Sequence, residues 1–173
     1  MSGNSSDERY AEAVRAFGRA IDRLAAGYEA DPDRRRDLRQ EIHLQLWRSF
    51  ETYDGRCSLR TWTFRVAHNT ATSYVIRERR RNERLVGLED VGQMSAAPEG
   101  VPDVDRARAL EQLSRLILTL KPLDRQVLLL YLEEMDAASI AEITGLSAAN
   151  VAMKIHRVKQ ILARRFREVE RHG

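Results

Sequence analysis

The chain has 173 residues, with 29 Lys and Arg against 26 Asp and Glu and a formal net charge of +3 when its four His are neutral. At 43% hydrophobic and 32% charged it holds enough apolar material for packed cores, which excludes a wholly disordered chain and sets an expectation of one or two small domains. No run of about 18 apolar residues offers a membrane span, the start Met1-Ser-Gly-Asn-Ser-Ser-Asp-Glu-Arg lacks the apolar core of a secretory signal, and one cysteine, Cys57, leaves neither a disulfide nor a Cys pair for zinc, so a cytoplasmic protein without metal or cofactor is expected.

Apolar residues recur at threes and fours, and no stretch alternates with β-branched enrichment, so the expected fold class is all-α. The first helix is predicted over 8–28, with Ala13, Phe17, Ile21 and Leu24 on one face. The second follows Pro32 and covers 33–50, with Leu38, Ile42, Leu46 and Phe50 as its stripe. Asp54-Gly55 then makes a turn, and Ser58 stands where an N-cap belongs before a third helix reaching about residue 81. Trp62, Val66 and Tyr74 are expected to serve its core. These helices form one bundle over 8–84, and its stretch 34–84 carries thirteen Arg against six acids.

The charge then reverses. Residues 85–105 hold five acids and no Lys or Arg, and Gly87, Gly92, Pro98, Gly100 and Pro102 break any helix, which predicts a flexible acidic linker. Four more helices are predicted: 104–119, 122–133, one from 136 or 137 to 144, and one from 148 onward. They make a second domain over 106–170, whose last stretch, 150–173, is basic again by seven Lys and Arg to two acids.

The final helix pair carries the strongest motif. Ile140 and Ile143 turn inward on a short helix, Gly145 supplies the left-handed conformation of a tight turn, and Ser147 caps the next helix, which is the grammar of a helix-turn-helix. In the second helix Val151, Ile155, Val158 and Leu162 form the apolar stripe. Ala148, Ala149, Ala152, Met153, His156 and Arg157 are left on the face that would enter a major groove, the small alanines allowing close approach. Lys154, Lys159 and Arg164 flank that face and suit phosphates. The plainer alternative is a helical hairpin with a solvated basic face.

A second constellation lies in the third helix, where arginines alternate with aromatics, an amide and hydroxyls over 60–81. Asn69, Ser73 and Arg77 recur every fourth residue and so share one face. Such a stripe beside an open loop can hydrogen-bond a base taken out of its stack while arginines hold the strand, which points to single-stranded DNA. The plainer alternative is that Trp62 and Phe64 are core and the arginines a solvated face.

Taken together, three segments resemble the bacterial RNA polymerase sigma factors of the extracytoplasmic-function (ECF) type within the sigma-70 family. They are Asp37-Leu-Arg-Gln-Glu-Ile-His-Leu-Gln-Leu-Trp47, Ser58-Leu-Arg-Thr-Trp-Thr-Phe-Arg-Val-Ala-His-Asn69, and Leu120-Lys-Pro-Leu-Asp-Arg-Gln-Val-Leu-Leu-Leu-Tyr131 followed by the helix-turn-helix. The resemblance implies that Asp37, Gln40, Glu41, Leu44 and Trp47 bind core RNA polymerase; the plainer reading pairs Asp37 and Glu41 with Arg34 or Arg48. It implies that the loop from Tyr53 to Ser58 receives a flipped base of the −10 element. Tyr53, Arg56, Ser58, Arg60, Trp62, Arg65, Asn69, Ser73 and Arg77 would be the −10 and melting residues. It assigns the −35 element to Ser147, Ala149, Asn150, Ala152, Met153, Lys154, His156 and Arg157, with Arg157 suited to guanine and Ala152 and Met153 to thymine methyls. It further implies an anti-sigma protein as a regulatory partner.

Two other classes compete. An autonomous helix-turn-helix regulator would account for 136–165 but has no use for the arginine-aromatic helix or the Trp47 segment. An enzyme would need a Gly-rich phosphate loop, metal-ligand spacing or paired carboxylates, none of which the sequence offers, so no catalytic residue is assigned.

Overall fold

Asp31 starts the second helix: its carboxylate accepts from the backbone amides of Asp33 and Arg34 at 3.0 and 2.9 Å, and Pro32 takes the first helical position, where no amide is needed. The computed structural model describes residues 3–85 and 104–172, and these are helical throughout apart from short connections. The helices are α1 (Gly3–Tyr28), α2 (Pro32–Ser49), α3 (Leu59–Leu85), α4 (Val104–Leu118), α5 (Pro122–Leu132), α6 (Ala137–Thr144) and α7 (Ala148–His172). The all-α expectation holds, with α1 beginning ahead of the predicted residue 8 and α3 running past 81. The chain divides into two units, Met1–Met94 with α1 to α3 and Ser95–Gly173 with α4 to α7. Residues 86–103 of the predicted acidic linker lie outside the described residues. No helix among the described residues is long and apolar enough to cross a membrane.

In the first unit each helix packs on the other two. Ile21 and Leu24 of α1 meet Leu38, Ile42 and Leu46 of α2, with Phe50 just beyond its end, and all are buried. Each such side chain contributes roughly 1.5–3 kcal/mol on leaving water. The inward face of α3 differs from expectation. Tyr74 is buried as predicted, but Trp62 and Val66 sit half-buried at the edge, and Phe64, Ala67, His68 and Ala71 fill the centre. Trp62 stays at the edge with its indole Nε1 donating to Ser49 Oγ at 2.9 Å.

His68 lies in that centre, 1% exposed, with Nδ1 sharing a 2.9 Å hydrogen bond with the Tyr28 hydroxyl. Its Nε2 has no hydrogen-bond partner among the described residues. Burial without a compensating charge pushes the imidazole down from 6.5 to about 3, so His68 is neutral at physiological pH.

In the second unit α7 is the spine, packing on α4, α5 and α6. Val127, Leu130, Ile140, Val151 and Val158 are fully buried around it. Arg125 is buried too, and its guanidinium donates to the carbonyl of Leu118, the last residue of α4, and to that of Leu120 just beyond it. Asp124 and Lys154 tie α5 to α7 through a 2.6 Å ion pair whose carboxylate is 8% exposed.

Candidate nucleic-acid interface

The loop between α2 and α3 is organised around Tyr53. Its hydroxyl donates to the Cys57 carbonyl at 2.6 Å and so closes the loop on itself, while its ring packs against Phe50 and Trp62 at centroid distances of 5.9 and 5.1 Å. Asp54 accepts from the Arg56 amide at 3.0 Å and pairs with its side chain, and Gly55 takes the left-handed backbone (φ +77°) that the turn requires. Ser58 caps α3 as predicted, its Oγ accepting from the Thr61 amide at 3.0 Å. Sequence reasoning missed Arg9 of α1: it donates to the Tyr53 carbonyl at 3.3 Å and lies 5.4 Å over the ring. No local pattern in α1 signals a contact with a loop some forty residues away.

Asn69 and Ser73 are exposed on α3 and face a groove of about 460 Å³, whose α2 wall is Glu41, Gln45, Arg48 and Ser49. Arg60 and Arg65 are half-buried on α3. Arg77, on the same stripe as Asn69 and Ser73, is turned across to α2: Nη2 and Nη1 donate to the two Glu41 carboxylate oxygens at 2.7 and 3.3 Å. This differs from the pairing of Glu41 with Arg34 or Arg48, since Arg34 lies beside Glu29 and Asp31 instead. The outer side of α2 presents Asp37, Gln40, Leu44 and Trp47 to solvent, the last two 45% and 41% exposed. The Trp47 indole donates to Asp7 at 2.8 Å. An acid and two large apolar side chains on one exposed face suit a protein partner with basic and apolar groups.

The second unit builds the helix-turn-helix from α6 and α7. Asp136 caps α6 through the Ser139 amide at 2.7 Å, Gly145 stands at φ +75°, and Ser147 Oγ accepts from the Asn150 amide at 3.2 Å to cap α7. Val151, Val158 and Leu162 are buried, which leaves Ala149, Asn150, Ala152, Met153, His156 and Arg157 on the outer face, Met153 70% exposed. All three flanking cations have partners within the unit: Lys154 pairs with Asp124, Lys159 donates to the Tyr131 hydroxyl at 2.7 Å while lying 4.3 Å over its ring, and Arg164 lies 3.9 Å from Glu168 one turn on. No group of three or more metal-ligating side chains occurs among the described residues.

Two family models match this chain, "Sigma-70 region 2" over residues 13–81 and "Sigma-70, region 4" over residues 110–162. The ECF RNA polymerase sigma factor SigG of Mycobacterium tuberculosis is 42% identical over 64 residues, 37% of this chain, and this chain spans only 16% of SigG's length. The RNA polymerase sigma factor YlaC of Bacillus subtilis is 26% identical over 140 residues, covering 79% of this chain and 81% of YlaC. Among solved structures, the sigma factor RpoE in complex with the anti-sigma factor NepR from Bartonella quintana superposes with a TM-score of 0.72 at 16% identity, covering 92% of this chain and 97% of RpoE, which speaks for the fold. With region 2 matched in the three-helix unit and region 4 in the helix-turn-helix unit, the chain belongs to the sigma-70 family, among its ECF members.

Proposed function

We propose that this chain is a sigma factor that joins core RNA polymerase and directs promoter-specific initiation, its first unit reading and melting the −10 element and its second reading the −35 element. The observation that carries this reading is the presence of two different surfaces on one bundle. On α2, Leu44 and Trp47 stand exposed beside Asp37 and Gln40; on α3, Asn69 and Ser73 line an open groove next to the Tyr53 loop.

In this reading Asp37, Gln40, Glu41, Leu44 and Trp47 hold the polymerase. The loop residues Tyr53, Arg56 and Ser58 receive an unstacked base, Asn69 and Ser73 hydrogen-bond it, and Arg60, Arg65 and Arg77 hold the strand, with Trp62 supporting Tyr53. Unstacking a base costs roughly a few kcal/mol. Polymerase contacts must offset that cost, so the chain alone binds promoters weakly. In the second unit Ala149, Ala152, Met153, His156 and Arg157 face base edges. Ser147 and Asn150 set the helix start, where backbone amides favour phosphate, and Lys154 holds α7 to α5. Residues that contact both partners would be covered by an anti-sigma protein, the partner named for RpoE. The site of action is the cytoplasm, with polymerase and chromosome.

Mobility shift with duplex fragments from the host genome separates this reading from an autonomous regulator. The expected result is a specific complex only when core polymerase is added. Tight, specific binding by the purified chain alone would favour the regulator.

A further inference from the structure

The ion pair between Glu41 and Arg77 joins two residues that the proposed function sends to different partners. Glu41 belongs to the polymerase-facing helix and Arg77 to the DNA-facing helix, yet their side chains meet as a fork, Nη2 to Oε2 at 2.7 Å and Nη1 to Oε1 at 3.3 Å. The guanidinium also lies 5.6 Å over the Tyr74 ring, so it is held in one orientation from two sides. Glu41 further lines the groove that contains Asn69 and Ser73, and the pair therefore stands beside the proposed DNA path. By contrast, the side chains of Gln45, Arg48, Asn69 and Ser73 make no hydrogen bond or ion pair among the described residues.

We propose that Glu41 and Arg77 form an electrostatic latch that lowers the affinity of the free chain for single-stranded DNA, and that engagement of Glu41 by a basic group of the polymerase releases Arg77 to a phosphate. This inference rests on the proposed function and adds a regulation to its site. In the latched state the carboxylate neutralises Arg77 and occupies the two donors that a phosphate would take, since both anions use the same guanidinium fork. The pair is partly exposed, its side chains 55% and 30% accessible, so it acts as a bias and not a lock. An ion pair of this kind is worth a shift of about two- to fivefold in an equilibrium. A polymerase that binds α2 gains a DNA-competent arginine in the same step, which couples the two surfaces without movement of either helix.

The test is a double-mutant cycle on the full chain without polymerase, reading anisotropy of a fluorescein-labelled oligothymidine at low salt. A homopolymer suffices because the proposed contact is to phosphate. Glu41→Gln should tighten binding about two- to fivefold in the wild-type background and bring no such gain in the Arg77→Gln background, each compared with its own parent. An equal gain from Glu41→Gln with and without Arg77 would reduce the effect to net charge and overturn the latch, as would no gain at all. Run-off transcription by wild-type chain with core polymerase runs in parallel: defined transcripts together with an additive cycle sink the latch alone, whereas no transcripts sink the functional reading beneath it. Helix content and thermal midpoint of each variant verify that both substitutions leave the bundle folded.

Discussion

Replacing His68 with Gln should remove most of the acid sensitivity of the first unit. The imidazole is 1% exposed and held at about 3, against 6.5 for an unburied histidine. Because the folded value lies below the unfolded one, the unfolded chain binds the extra proton. The stability associated with neutral His68 is therefore fully present above about pH 6.5 and is lost as pH falls toward about 3. Each pH unit within that window costs about 1.4 kcal/mol, and allowing for the curvature near 6.5, wild type loses about 2 kcal/mol between about pH 7.5 and about pH 5. That is a large share of the margin expected for a small domain. Staying above about pH 5 keeps ordinary carboxylates charged. Burial also lowers His43, with Arg39 adding to the effect, so the comparison must be between wild type and variant at each pH. Both tryptophans, Trp47 and Trp62, lie in the first unit, and urea titration followed by their emission reports that unit alone. Gln keeps a partner for the Tyr28 hydroxyl and does not titrate. If His68→Gln loses as much stability as wild type over the same pH range, the buried-neutral account of this residue is wrong.

Three further outcomes follow from the second unit. Arg157→Ala should cost about 1–3 kcal/mol of discrimination at one base pair of the upstream element, measured by base substitution in the polymerase-bound complex; a uniform loss across all sequences would instead make Arg157 a phosphate contact. Ser147→Ala removes the α7 cap and should lower stability by about 1 kcal/mol, read as a fall in the thermal midpoint. Lys154→Met strands the buried Asp124 carboxylate and should cost about 1–3 kcal/mol in urea unfolding followed by circular dichroism. Adding Asp124→Asn should recover much of that loss, and an additive double mutant would show that the pair is not coupled.

How far the sequence anticipates this structure depends on which side chains do the work. Helix boundaries marked by local chemistry are legible: Pro32, Ser58, Gly145 and Ser147 all act within about one helical turn of their own position. The stripe of α2 is legible because Leu38, Ile42, Leu46 and Phe50 are large and apolar at helical spacing. The core face of α3 is less so. Beside Phe64 and Tyr74 its inward positions hold two alanines and a histidine, while the bulky Trp62 and Val66 sit at the edge, so an apolar pattern weighted by size misplaces part of the face. Partners distant in sequence escape entirely: nothing local to Arg77 signals Glu41, nothing near Lys154 signals Asp124, and Arg9 meets Tyr53 only once α1 has packed. Cations taken as phosphate ligands from charge alone are therefore the residues most altered by the fold.

In the proposed function this chain turns core polymerase into a promoter-specific initiating enzyme. Run-off transcription from host genomic fragments, with sigma-free core polymerase and the purified chain, followed by mapping of the RNA 5′ ends, tests it most directly. The account predicts discrete start sites that appear only when the chain is added and that share two upstream sequence elements. No complex with core polymerase and no defined start site above the core-only background would contradict it.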